Sequence, residues 1–141
     1  YKAGVVVPEP ALQAKLLPVL RDNTQALRLH TSAYSMVAYP WAQRYQQSNQ
    51  WAIETIAMAH EPAATSRERA QAWLRLQGYE PSVLRIGAMT RLGARMTAAN
   101  IAFDDHPNDK RFGDRIETVT VDSVFAWLAR SALAGRVQVV R

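Results

Sequence analysis

The segment from about Asn49 to His60, NQWAIETIAMAH, constrains this chain more than any other stretch. Ala52, Ile53, Ile56, Ala57 and Ala59 recur at helical spacing, Trp51 and Met58 add to them, and Glu54 is the one charge before His60. The apolar positions cover more than one side of the helix they predict, and such a helix is stable only when buried on most sides. The rest of the chain is therefore expected to pack around it. A polar run, Gln46-Gln47-Ser48-Asn49-Gln50, stands at its mouth. Serine is among the preferred N-cap residues, so capping is the physical reading of Ser48. A helix N-terminus also offers free N–H groups and a partial positive charge, which favour an anionic nucleophile and its oxyanion. A serine there needs a base to take its proton.

The flanking segments predict amphipathic covers. AGVVVP (3–8) reads as a short strand, and Pro10 opens a helix whose stripe is Leu12, Leu16, Val19 and Leu20, with Pro18 expected to kink or break it. The pattern resumes over Gln25–Leu29, and HTSAYSMVAYPW (30–41) reads as an ordered aromatic loop. Thr65 and Glu68 suggest a capping box opening a helix that runs to Gln77, with Gly78 ending it. PSVLRI (81–86) reads as a helical turn, and residues 88–99 as a helix with Met89, Leu92 and Met96 inward. A short strand is expected at 101–103, a stronger one over Arg115–Val121, a helix capped by Asp122 and closed by Gly135, and a last strand in RVQVV (136–140). This is an α+β pattern, helix-rich with a small, mostly antiparallel sheet, and the 141 residues suit one domain, 1–141. Four short strands are thin for a self-sufficient sheet, so the chain is expected to be the C-terminal part of a longer one, whose upstream part would be a partner.

Composition narrows the chemistry. The chain has no Cys, which excludes disulfides, thiolate zinc sites and thiol catalysis in the sequence as it stands. Its net charge is +5, but the 17 basic residues are spread along the chain and no aromatics interleave with the arginines. A solvated cationic surface is favoured over nucleic-acid binding. No apolar run is long enough to span a membrane.

The chain has three histidines, and His30 and His60 are weighed as bases. His30 precedes the aromatic loop and would need to approach Ser48 within about 3 Å to act; a surface or hydrogen-bonded histidine is the favoured reading. His60 is about 18 Å from Ser48 at 1.5 Å per residue, so it is assigned to the helix C-terminus instead. His106 belongs to a polar cluster, Asp104, Asp105, His106 and Asp109, that could coordinate a divalent cation. Pro107, Asn108 and Gly113 mark that segment as a loop, and Lys110 and Arg111 are placed to pair with its carboxylates, so loop structure is favoured and no metal or cofactor is expected. Trp51, Trp73 and Trp127 fall on apolar helix faces and read as core.

The stretch AYSMVAYPWAQRYQQSNQWAIE resembles the signature of a bacterial domain-of-unknown-function family, in which a Tyr-x-x-Val and a Tyr-Pro pair lead into Arg-Tyr-Gln-Asn-Cys-Asn-Gln-Trp. Tyr34, Val37, Tyr39, Pro40, Arg44, Tyr45, Gln46, Asn49, Gln50 and Trp51 carry the likeness, and GYEPSVLR, RLGAR, AFDDHP and TVTVDSVFAWL extend it over nearly the whole chain. That pattern is similar to permuted papain-like thiol hydrolases of the NlpC/P60 type, and to the lecithin retinol acyltransferase group. The resemblance implies the C-terminal part of a permuted papain-like fold. In it a cysteine opens the buried helix, a strand-borne histidine lies earlier in the sequence, and the chemistry is acyl transfer or amide hydrolysis through a thioester. It places Ser48 where the family has Cys and Gln47 where it has Asn. This fits either natural decay of the site or deliberate replacement of the nucleophile, and a chain inactive as it stands. Tyr34, Tyr39, Tyr45, Asn49, Gln50 and Trp51 would line the site, and an Asp of the 104–106 cluster could orient the base. A non-catalytic binding module on the same fold is the alternative. The substrate or ligand is not specified, and the bacterial assignment leaves an exported or periplasmic location open.

Overall fold

The computed structural model describes residues 3–135 and 137–140. Its elements are β1 (Ala3–Val5), α1 (Pro10–Arg21), α2 (Asn23–Ala26), α3 (Ser48–His60), α4 (Arg67–Leu76), β2 (Ser82–Arg85), α5 (Ala88–Thr97), α6 (Asn108–Phe112), β3 (Arg115–Thr118), α7 (Val121–Arg130) and β4 (Gln138–Val140). Helix α3 is packed on by α1, α4 and α7, as its many-sided apolar character requires. Ile53 and Ala57 join Ala70 and Leu74 of α4 and Trp127 and Leu128 of α7 in one core. Trp127 is fully buried, with Tyr79 and Trp73 edge-on at ring centroids of 5.9 and 6.3 Å, and its indole N–H donates to the Gln77 carbonyl. Trp73 and Trp51 are half-buried, and Trp51 donates to the Ala26 carbonyl. A second core, Val37, Phe103 and Ile116, is closed by Leu84, Ile86, Ala94 and Ile101.

The fold is α+β and the named strands pair antiparallel, but they form two separate two-stranded sheets. β1 pairs with β4, joining the two ends of the described chain, and β2 pairs with β3 in the register Ser82↔Thr118 to Arg85↔Arg115. PSVLRI is thus a strand rather than a helical turn: its alternating burial matches a pleat with one covered face, and β3 supplies the partner that local sequence cannot reveal. Residues 101–103 are not a strand; Phe103 fills the second core from a loop. Helix α1 runs through Pro18 to Arg21, and the break comes at Asp22, whose carboxylate caps α2 through the Thr24 N–H.

Caps shift by one or two residues from the sequence expectation. Ser66 rather than Thr65 caps α4, and Thr120 rather than Asp122 caps α7 in a reciprocal box with Ser123. The larger departure is α5. Met89, Leu92 and Met96 point outward, and Arg91 is buried, donating to Asp114 at 2.9 Å and to the Ile86 carbonyl. The stripe has the period of a helix, but the ion pair at the end of the β2–β3 sheet decides which side faces in.

Candidate functional site

Ser48 is the first residue of α3 and is exposed, while Gln47 takes the N-cap position. The Gln47 side chain accepts from the Asn49 N–H at 3.3 Å, and its amide NH2 donates to the Thr118 hydroxyl and the Val119 carbonyl, tying the helix start to the end of β3. The capping role expected of Ser48 therefore belongs to Gln47, whose longer side chain can cap and span to β3 together. The Ser48 hydroxyl has no hydrogen-bond partner among the described residues. It lies between two clefts. One, of about 360 Å³, is lined by His30, Thr31, Ser32, Tyr34, Gln46, Gln47, Ser48 and Trp51. The other, of about 410 Å³, runs past Tyr34, Met36, Val37, Asn49 and Leu84 to Thr118–Val121.

The wall that carries His30 is a loop without regular structure, held by a buried polar network. The Gln46 N–H donates to the Ala33 carbonyl, and Tyr34 and Gln46 form an isolated parallel bridge. The Gln46 side chain accepts from the Thr31 N–H and donates to the Leu29 carbonyl and to Glu54, at 2.9, 2.9 and 2.7 Å. Glu54 is 0% exposed, and Arg67 meets its carboxylate through Nε at 2.8 Å and Nη2 at 3.3 Å. Gln71 donates to the same carboxylate at 2.7 Å. Arg67 continues to Thr31 Oγ1 and to the carbonyls of Ala42, Gln43 and Tyr45. Burial pushes the Glu54 carboxyl above its ordinary range, against the pull of the Arg67 hydrogen bond and charge. Sequence reading passed over this network. The signal was present, a lone carboxylate on an otherwise apolar helix, which in a buried setting demands a cation.

The expected lining residues divide. Tyr34 faces both clefts, Asn49 the second and Trp51 the first. Tyr39, Tyr45 and Gln50 face neither cleft. Tyr39 is buried against the His106 ring, Tyr45 approaches Asp104 at 3.4 Å, and Gln50 donates to the Tyr39 and Pro40 carbonyls from the interior. Their aromatic and amide character serves the loop before α3 instead of a ligand. Met36, Thr118 and Val121 are cleft residues that sequence alone did not single out, because a tertiary approach of β3 to α3 brings them there.

Asp104, Asp105 and His106 form a structural cluster away from Ser48's clefts. Asp105 accepts from His106 Nδ1 at 2.9 Å and from the Tyr39 N–H at 2.7 Å, and His106 Nε2 lies 2.8 Å from the Glu117 carbonyl. Asp104 pairs with Arg44 at 3.1 Å. Lys110 goes to Glu117 at 2.7 Å and Arg111 to Asn108, so neither pairs with the acids of the cluster as expected. Among the described residues no group of three or more potential ligands could hold a metal ion. His60 ends α3 with its ring 5.2 Å from that of Trp73.

The arrangement is that of an α+β protein with an exposed hydroxyl on the first residue of a buried helix, between two clefts, one of which carries a histidine. The profile of a family described as uncharacterized protein conserved in bacteria (DUF2145) matches residues 1–128, and the chain belongs to that family. No curated protein and no solved structure matches it. No helix among the described residues is long and apolar enough to cross a membrane.

Proposed function

We propose that this chain keeps the frame of a papain-like thiol hydrolase or acyltransferase acting on an amide or ester bond, silenced by serine at the nucleophile position. The observation that carries the reading is Ser48 itself: exposed at the first position of α3, unbonded, and relieved of capping by Gln47. A thiol there would gain from the helix N-terminus, since a thiolate is within reach at neutral pH where an alkoxide is not. Attack of that thiolate on an acyl carbon would form a thioester and release the amine or alcohol, which takes a proton from a general acid. His30 lines the same cleft and is the described histidine placed to serve.

The test is Ser48→Cys, labelled with iodoacetamide across a pH series. A thiol titrating well below about 8.5, with labelling slowed by His30→Ala, is the expected result. Labelling no faster than that of the denatured variant would refute the proposal.

A second reading is a non-catalytic binding module on the same fold. In its favour, no hydrogen bond links the His30 imidazole to the Ser48 hydroxyl among the described residues. Under this reading Ser48→Cys shows an ordinary thiol, and the protein cosediments with purified peptidoglycan or with lipid through residues of the two clefts.

A further inference from the structure

Helix α5 presents its apolar stripe to solvent. Met89 is 82% exposed, Leu92 56% and Met96 79%, and Phe112 of α6, three residues before β3, is 73% exposed. The opposite side of the helix is fixed by Arg91, which is buried and bonded to Ile86 and to the half-exposed Asp114, and by Ala94 against the second core, so the stripe cannot turn inward without breaking that ion pair. Asp114, paired with Arg91, is the carboxylate bonded to α5; the other charges beside the stripe are arginines. α5 carries no acidic residue, and Arg95 on its flank is exposed. The β2–β3 register sets Arg85 directly opposite Arg115, both exposed and neither in an ion pair among the described residues. Like charges directly opposite one another destabilise a strand pair, and an external anion would relieve them.

We propose that α5, Phe112 and the Arg85–Arg115 pair form a docking face for an anionic lipid surface. Exposed Met, Leu and Phe side chains beside unneutralised arginines are the composition by which an amphipathic helix lies in a bilayer interface, apolar face among the acyl chains and cations at the headgroups. Nucleic acid would use the arginines and leave the methionines without a partner. The face stands apart from Ser48 and does not rest on the function proposed for it.

The experiment is cosedimentation of the protein with phosphatidylcholine vesicles, with and without phosphatidylglycerol. Binding is expected only with phosphatidylglycerol, weakening as salt is raised. Each arginine contributes roughly fivefold near an anionic surface, so Arg85→Gln with Arg115→Gln should weaken binding roughly 25-fold. Met89→Ser with Met96→Ser should remove it while leaving the circular dichroism spectrum unchanged, since both side chains are exposed. Absence of binding, or equal binding to both vesicle types, overturns the proposal. So does self-association in the absence of lipid that the methionine variant abolishes, which would make the face a contact between two copies of this chain.

Discussion

Replacing Arg67 by Met tests whether the buried network holds the loop that walls the candidate site. The guanidinium makes two bonds to Glu54 and four to Thr31, Ala42, Gln43 and Tyr45. Methionine matches much of its aliphatic length and supplies no donor. Glu54 would keep Gln46 and Gln71 but lose the cation, leaving a carboxylate buried without its counter-charge. Removing one partner of a buried pair costs about 3–5 kcal/mol, a large share of the roughly 5–15 kcal/mol available to a domain. Urea denaturation would report it as a lower midpoint at an unchanged slope. The pH dependence has a definite sign. Glu54 already sits above its ordinary 4.5, and loss of Arg67 pushes it further up. A raised carboxyl favours the folded state in its protonated form, so the variant is least penalised below about pH 4.5 and loses stability as pH rises through the elevated folded value. Glu54→Leu combined with Arg67→Met should restore most of the stability, because an apolar pair leaves no buried charge. Amide exchange over residues 30–35 should still accelerate in that double variant, since the bond to Thr31 is gone. A loss under about 1 kcal/mol for the single variant, with no pH dependence, would refute the network's role.

Other outcomes follow from the same structure. Ser48→Ala should change stability by less than about 0.5 kcal/mol, as for an unbonded surface residue, whereas Gln47→Ala should cost about 1–2 kcal/mol; chemical denaturation of the two distinguishes cap from free hydroxyl. Burial pushes the Tyr79 hydroxyl up from 10 to about 12, against its hydrogen bond with Ser123, so the folded state holds a proton that the unfolded state releases. Tyr79 should contribute a fall of about 2–3 kcal/mol as pH rises from 10 to 12, and Tyr79→Phe should remove that share of the decline in denaturation curves taken across the range. A Cβ on Gly4 would meet the Phe125 ring at 2.6 Å. Gly4→Val should therefore cost about 1–3 kcal/mol in thermal unfolding, and Phe125→Ala should relieve the clash.

The sequence determined the central helix. Thirteen residues with apolar side chains on several faces can only be buried, and α3 is buried between α1, α4 and α7. It also determined the α+β class and the core roles of Trp127 and Trp73, because periodicity and aromatic character are local properties. What it could not determine was which partner each element meets. PSVLRI is a strand because β3 lies beside it. Met89, Leu92 and Met96 face out because Asp114, 23 residues beyond Arg91, draws that arginine in. Ser48 is free rather than a cap because Thr118 and Val119, more than seventy residues on, hold Gln47 in the capping position. Nothing in the spacing of RYQQSNQW distinguishes those two roles. The distinction rests on a contact between segments far apart in sequence, and that contact leaves a serine hydroxyl unpaired at the mouth of a buried helix.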